Sequence, residues 1–344
     1  MNLKELSARL GLSPTTVSRA LNGYPEVNAA TRERVLRAAR ETGYRPNRTA
    51  QRLATGKAGS IGLLMPVGAE AMSDLHFGEF LSGVGETARA KDFHLVVMPS
   101  DPADEVSGLV TLATGGNVDG LCLAYIREND SRIDLMESLG LPFIVHGRFF
   151  SAPHPYPFLD VDNEAAFYEA VRLLLQLGHR RIGLINGDET LGFAVRRRNG
   201  ALKAMQEMGL SFDPLLHCST TMTEEAGQRA ATGFMAQPDP PTAMLCASMV
   251  QALGVVRAVN QSGKQIGRDV SLISYDDVLP VLRPEHFTVP LTTTRSSLRT
   301  AGKRIAERLI QRINGEETDD FQELWRPELV LRASTGPVPV KEKA

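Results

Sequence analysis

The chain has 344 residues, 42% of them hydrophobic but only 6% aromatic, and a net charge of −2. That length exceeds one ordinary domain and supplies a sizeable core, while the lack of any apolar run of about 18 residues excludes a helical membrane span. The N-terminus lacks the basic-then-apolar layout of a signal peptide, and Cys122, Cys218 and Cys246 are too scattered for a disulfide framework, so the expected setting is the reducing cytoplasm. Asn2 and Glu5 form a capping pair, and Leu3, Leu6 and Leu10 recur at helical spacing, predicting a short helix closed by Gly11. Ala8 is small enough to let a second helix approach. That second helix starts with Ser13 as cap and Pro14 at the first helical position, where a missing N–H costs nothing. Val17, Ala20 and Leu21 share the face that packs. Thr15, Thr16 and Arg19 share the other, and hydroxyls and guanidinium groups are what read base edges. Gly23 stops this helix. A third runs from its cap Asn28 through Val35, Leu36 and Ala39 to Gly43, with Pro46 as a stop.

Two short helices joined by a Gly-containing turn make a helix-turn-helix unit. The pattern alone fits a small helical domain with no nucleic-acid role equally well. Charge separates the two readings. Residues 1–59 hold 11 Lys+Arg against 4 Asp+Glu, a charge of +7, which leaves −9 on residues 60–344. A basic head on an acidic body is the electrostatic footprint of phosphate binding confined to one end.

Residues 47–55 read as a short helix between Pro46 and Gly56, with about two turns, too few to be stable alone in water. On the residues alone this is a linker. From Ser60 the pattern changes to strand-length apolar runs: Ser60–Pro66, then near Leu95–Met98, Gly120–Leu123, Phe143–His146, Arg181–Ile185, Thr242–Cys246 and Val270–Tyr275. Helical stretches alternate with them, among them Gly78–Lys91, Ala165–Leu177, Arg196–Met208 and Gln251–Gln261. Short apolar runs divided by helices indicate parallel sheets covered on both faces, and two such sheets fit, divided near Asp160–Asp162.

Open α/β sheets bind ligands at the carboxyl ends of their strands. Residues following the strands are therefore the candidates, among them Asp276 in Ser274-Tyr275-Asp276-Asp277, His146 and Arg148, and the His76-Phe77 pair; Arg197 lies farther on, in the helix after the Arg181–Ile185 strand. Each has a plainer reading. Arg197 between Arg196 and Arg198 fits a solvated basic face, the Asp pair a turn cap, and the histidine pairs ordinary loop packing. Gly83-Val84-Gly85-Glu86-Thr87-Ala88 imitates a dinucleotide fingerprint but lies inside a helical pattern, so that mechanism fails. Asp160-Val161-Asp162 reads as a strand end and helix cap rather than a metal site. No catalytic residues, cofactor or metal ligands are expected.

Three segments carry a resemblance: Ser13-Pro14-Thr15-Thr16-Val17-Ser18-Arg19-Ala20-Leu21-Asn22-Gly23, Val27-Asn28-Ala29-Ala30-Thr31-Arg32-Glu33-Arg34-Val35 and Gly43-Tyr44-Arg45-Pro46-Asn47. In order and spacing they resemble the start of bacterial transcription regulators of the LacI/GalR family, and a weaker likeness continues to about Thr335. The resemblance implies a small all-α helix-turn-helix head (1–46), a hinge helix (47–58) and a two-lobed α/β effector domain like periplasmic binding proteins (59–340). Lobe 1 would comprise about 59–160 and 290–322, and lobe 2 about 161–289 and 323–340. It further implies DNA contacts from Ser13, Thr15, Thr16, Ser18, Arg19 and Asn22, and a hinge that folds on DNA through Asn47 and Arg48 while Leu53 wedges open the minor groove. The implied effector residues are His76, Phe77, His146, Arg148, Arg197, Met222, Ser248 and Asp276, and an Arg with an Asp suits a polyol.

The chain departs from the family pattern at three places. Gly147 stands where relatives often carry a carboxylate, Ser248-Met249 where they have Asn-Asp or Ser-Asp, and Met222 where an aromatic stacks on the effector. The last two differences point away from a standard monosaccharide toward a different or larger sugar, and the His-Gly-Arg segment is most similar to regulators responding to glucosides. The implied function is a repressor of carbohydrate uptake or catabolism genes. It would bind double-stranded operator DNA as a homodimer matched to two-fold half-sites, and not as a tetramer, since the tail from Gly336 to Ala344 fits no coiled coil, and would respond to a small carbohydrate effector. The alternatives are a sugar-binding protein without a regulatory task, and an α/β enzyme whose active site the sequence does not supply.

Overall fold

The computed structural model describes residues 1–21, 23–44, 56–67, 75–101, 104–149, 154–275, 278–316 and 321–339. It divides into two units, Met1–Gly59 and Ser60–Ala344. In the first unit, helices α1 (Leu3–Leu10), α2 (Pro14–Leu21) and α3 (Ala29–Thr42) enclose a small core of Leu6, Val17, Ala20, Val27, Val35, Ala38 and Ala39. The ends follow from local chemistry. Asn2 and Glu5 form a reciprocal capping box, and Gly11 closes α1 in the left-handed conformation. Ser13 Oγ accepts from Thr16 N at 3.0 Å, and Asn28 Oδ1 accepts from Thr31 N at 2.8 Å. One expectation fails: Ala8 is exposed, and the small residue buried against the neighbouring helices is Ser7. Ser7 lies on the Leu3–Leu6–Leu10 face, and its hydroxyl is satisfied by Leu3 O at 2.7 Å.

Among the described residues the second unit carries two six-stranded sheets. In chain order its elements are β1 (Ser60–Pro66), α4 (Leu75–Ala90), β2 (His94–Ser100), α5 (Glu105–Thr114), β3 (Gly120–Leu123), α6 (Ser131–Leu139), β4 (Phe143–His146) and β5 (Phe158–Val161). They continue with α7 (Asn163–Gln176), β6 (Ile182–Asn186), α8 (Gly192–Glu207), β7 (His217–Ser219), α9 (Glu224–Met235), β8 (Ala243–Cys246), α10 (Met249–Gln261) and β9 (Ser271–Tyr275). The last are β10 (Thr292–Arg295), α11 (Leu298–Ile313), β11 (Gln322–Trp325) and β12 (Glu328–Val330). Sheet order is β11-β5-β4-β3-β1-β2 in the first lobe and β12-β10-β9-β8-β6-β7 in the second. Neighbouring strands run parallel except β10 and β12. The central strands β3, β6, β8 and β9 are buried along their whole length, which is why they read as mostly apolar runs and not as an apolar–polar alternation. Among the described residues no helix is long and apolar enough to cross a membrane.

The sheets redraw the expected lobe borders at about 290 and 322. Thr292–Arg295 pairs in parallel with β9 and so completes the second sheet, and the chain returns to the first lobe only at α11, which packs on α4. Gln322–Trp325 pairs with β5 in the first sheet, and the final crossing falls between Trp325 and Glu328. Both borders are decided by ladders between residues far apart in sequence, which a local pattern does not register.

Helices pack in close pairs on these sheets: α4 with α11, α7 with α8, and α9 with α10. At the α7–α8 crossing a Cβ on Gly200 would stand 3.0 Å from Tyr168 N and closer still to the Glu164 carbonyl. Only glycine allows that approach, and it sets α8, which carries Arg197, against the first turn of α7.

Candidate functional site

Two surfaces matter, one on each unit. On the head, Thr15 and Arg19 are exposed on α2, opposite the buried Val17 and Ala20, while Thr16 and Ser18 are half-buried. Ser13 Oγ lies 2.8 Å from Thr16 Oγ1, so these two hydroxyls serve the cap as well as the surface. Two of the basic residues counted in the +7 are structural: Arg32 donates to Tyr24 O at 2.7 Å and Arg34 to Leu10 O at 2.5 Å. Asn22, Asn47, Arg48 and Leu53 lie outside the described residues.

In the second unit the carboxyl ends of both sheets face a cleft between the lobes. Six of the expected residues meet there: His76, Phe77, His146, Arg148, Arg197 and Met222. His76 and Phe77 sit in the first turn of α4, and His146 and Arg148 leave the end of β4. The His146 ring stacks on Phe80 at 4.5 Å, and burial pushes its pKa down to about 4, so it is neutral at pH 7.

Arg197 belongs to α8 and is buried together with Arg196, so the solvated basic face is excluded, and Arg198 pairs instead with Glu189 at 2.6 Å. Its guanidinium lies 3.6 Å from the Tyr275 ring centroid and 4.7 Å from that of Phe193. Nε donates to Asn163 Oδ1 at 2.8 Å and Nη1 to Ala247 O at 3.0 Å. A planar cation walled by rings and anchored at these two nitrogens is held in one orientation at the cleft wall.

Two other expectations come out differently. Ser248 is not among the lining residues. It is wholly buried as the N-cap of α10, its Oγ accepting from Gln251 N at 3.1 Å, and the preceding Ala247 lines the cleft instead. Asp276 lies outside the described residues.

The residues missed by sequence reasoning include Tyr125, Asn163, Phe193, Tyr275 and, most consequentially, Asp160. Of the Asp160–Asp162 pair, only Asp162 is the helix cap, accepting from Ala165 N at 3.1 Å. Asp160, 4% exposed, accepts from Arg148 Nε at 3.0 Å. Burial raises its pKa to about 6 in spite of the nearby Arg148 and Arg196. The available signal was its place at the carboxyl end of a parallel strand. At the cleft rim the lobes touch: Gly192 N donates to Ile126 O at 2.8 Å, and Arg196 Nη2 to Arg148 O at 3.3 Å.

A helix-turn-helix head joined to a two-lobed body with a cleft of arginines and aromatics defines a class, the DNA-binding regulator that carries its own small-molecule site. Residues 2–47 match the profile of bacterial regulatory proteins of the lacI family, and residues 171–335 that of the periplasmic binding protein-like domain. The chain is 60% identical to the HTH-type transcriptional regulator AglR of Rhizobium meliloti (strain 1021), over 98% of this chain and 95% of the relative. The lac repressor dimer bound to operator and the anti-inducer ONPF superimposes with a TM-score of 0.84 at 26% identity, covering 98% of this chain and 99% of that one. A complex of the transcriptional regulator CelR with cellobiose gives a TM-score of 0.72 at 28% identity, covering 97% and 99%. The chain belongs to the lacI family of bacterial regulatory proteins and is a DNA-binding transcription regulator.

Proposed function

We propose that this regulator is a cytoplasmic repressor of carbohydrate uptake or catabolism genes, binding operator DNA as a homodimer and releasing it when a sugar occupies the cleft. The single observation that carries the sugar reading is the cleft itself: rings of Phe77, Phe80, Tyr125, Phe193 and Tyr275 beside the edges of Arg148 and Arg197. Flat apolar faces with a few fixed donors suit a pyranose, which offers C–H faces and equatorial hydroxyls. The solved CelR relative was captured with cellobiose, a glucoside of two rings. Met222 in place of a stacking aromatic leaves room consistent with a glucoside longer than one ring.

The reading assigns recognition of base edges to Thr15 and Arg19, with Ser13, Thr16, Ser18 and Asn22 supporting them, and hinge contacts to Asn47, Arg48 and Leu53. A sugar held by both lobes favours one lobe arrangement over the other. Operator affinity then changes by the difference in sugar affinity between the two states and no more. Footprinting on the DNA upstream of the chain's own gene, repeated with maltose, sucrose, trehalose, cellobiose and raffinose, tests this. A protected near-palindrome weakened by at least one sugar is the expected result; no protection, or protection indifferent to every sugar, refutes it.

A further inference from the structure

The strand that crosses from the first lobe to the second carries a hydrogen-bonded relay. Asp160 Oδ2 accepts from Arg148 Nε at 3.0 Å, on the loop after β4. Asp160 Oδ1 accepts from Val161 N at 2.8 Å and from Asn163 Nδ2 at 3.4 Å. Asn163 Oδ1 accepts in turn from Arg197 Nε at 2.8 Å, and Arg197 Nη1 reaches Ala247 O at 3.0 Å. The two arginines of the cleft stand on opposite lobes, and one buried carboxylate with its neighbouring amide joins them.

A guanidinium is a rigid planar fork, so fixing the direction of Nε fixes where the remaining donors point. Burying a carboxylate is costly, and an amide or an aliphatic residue at this place would pack at lower cost. The relay also spans the crossover, so any rotation of one lobe on the other changes the distance between Asp160 and Asn163 partners. We propose that Asp160 is a positioning residue for effector recognition: acting through Arg148 and, by way of Asn163, through Arg197, it sets both guanidiniums toward one ligand and couples ligand affinity to lobe closure. This rests on the sugar-effector reading above.

The groups facing Asp160 are Arg148 from the β4 loop, Tyr156 ahead of β5, Asp162 and Asn163 at the start of α7, and Arg196 from α8. His146 and His76 also line the cleft. The relay needs the ionised carboxylate, which is present above about pH 6 and is lost below it.

The test is calorimetric titration of the full-length chain and of Asp160→Asn with maltose, sucrose, trehalose, cellobiose and raffinose, between about pH 5 and about pH 8. Thermal melts check that each protein is folded. For a sugar that binds the wild type, Asp160→Asn should bind about tenfold more weakly at neutral pH, the worth of one charge-assisted hydrogen bond. Wild-type affinity should fall on acidification through about pH 6, and the variant should lack that step. Equal affinity in the two proteins, or the same pH profile in both, overturns the inference and leaves the sugar reading standing. If Asp160→Asn does not fold, the wild-type profile decides, and affinity constant across the range overturns the inference. A wild type that binds no sugar of the panel removes the sugar reading, and the inference with it.

Discussion

Replacing Gly200 by alanine tests the claim that close helix packing positions Arg197. The new methyl would stand 3.0 Å from Tyr168 N and closer to the Glu164 carbonyl, both backbone groups that cannot rotate away. The helix itself must shift, and overpacking of this kind costs about 1–3 kcal/mol. Alanine returns up to about 1 kcal/mol through helix propensity. Because the obstacle is backbone, the upper part of the overpacking range applies, giving a net loss of roughly 2 kcal/mol. Displacing α8 from α7 also stretches the 2.8 Å bond from Arg197 Nε to Asn163, so sugar affinity should drop together with stability. Gly85→Ala is the control, being the same change inside a helix, with the nearest atom, on Leu95, at 3.9 Å. Urea denaturation followed by circular dichroism should place Gly200→Ala below the wild type and Gly85→Ala at or above it. If Gly200→Ala equals or exceeds the wild type, the close-approach argument is refuted.

Arg19→Ala should cost roughly 1–3 kcal/mol of specific operator affinity and relax base preference, the usual worth of a bidentate base contact; equal loss on every DNA sequence in a binding assay would make Arg19 a phosphate contact instead. Leu53→Ala should reduce operator bending in gel-shift phasing and weaken operator affinity, since unstacking a base step needs an apolar wedge, while sugar titrations stay unchanged. His146 gives a pH prediction. Its pKa falls from 6.5 to about 4 in the fold, so the neutral ring contributes stability above pH 6.5 that is lost as pH drops toward 4. The contribution is roughly 3 kcal/mol at about 1.36 kcal/mol per pKa unit. His146→Gln should flatten the acid limb of a urea-midpoint-versus-pH curve by about that amount, and an unchanged limb would show that the ring is not held neutral by burial.

The head was legible almost to the residue because its signals are local. Asn2 with Glu5, Ser13 with Pro14, Asn28 and Gly43 each act within one helical turn, so adjacency in sequence is adjacency in space. The alternation of strands and helices in the body was legible for the same reason. Lobe membership of Thr292–Arg295 and Gln322–Trp325 was not, because each is decided by a partner strand elsewhere in the chain. Asp160 and Ser248 show the same limit at the site. One looked like a strand end and joins two arginines; the other looked like a ligand anchor and caps a helix.

The three crossings between lobes bear on the order in which the protein is made. The head closes its core within the first 44 residues, with Leu6 and Val35 both present once α3 emerges. The first lobe cannot do the same. Its core needs Ala301, Ile305 and Leu309 from α11, and its sheet needs Gln322–Trp325. The second lobe waits for Glu328–Val330. Chains fold from the N-terminus as they leave the ribosome, at about 5–20 residues per second. For some tens of seconds of synthesis, therefore, each nascent chain presents a folded head tethered to an unfinished body whose apolar strands are still uncovered. Until the last thirty or so residues arrive those strands are open to aggregation, and a premature stop there would release a head without a finished effector domain.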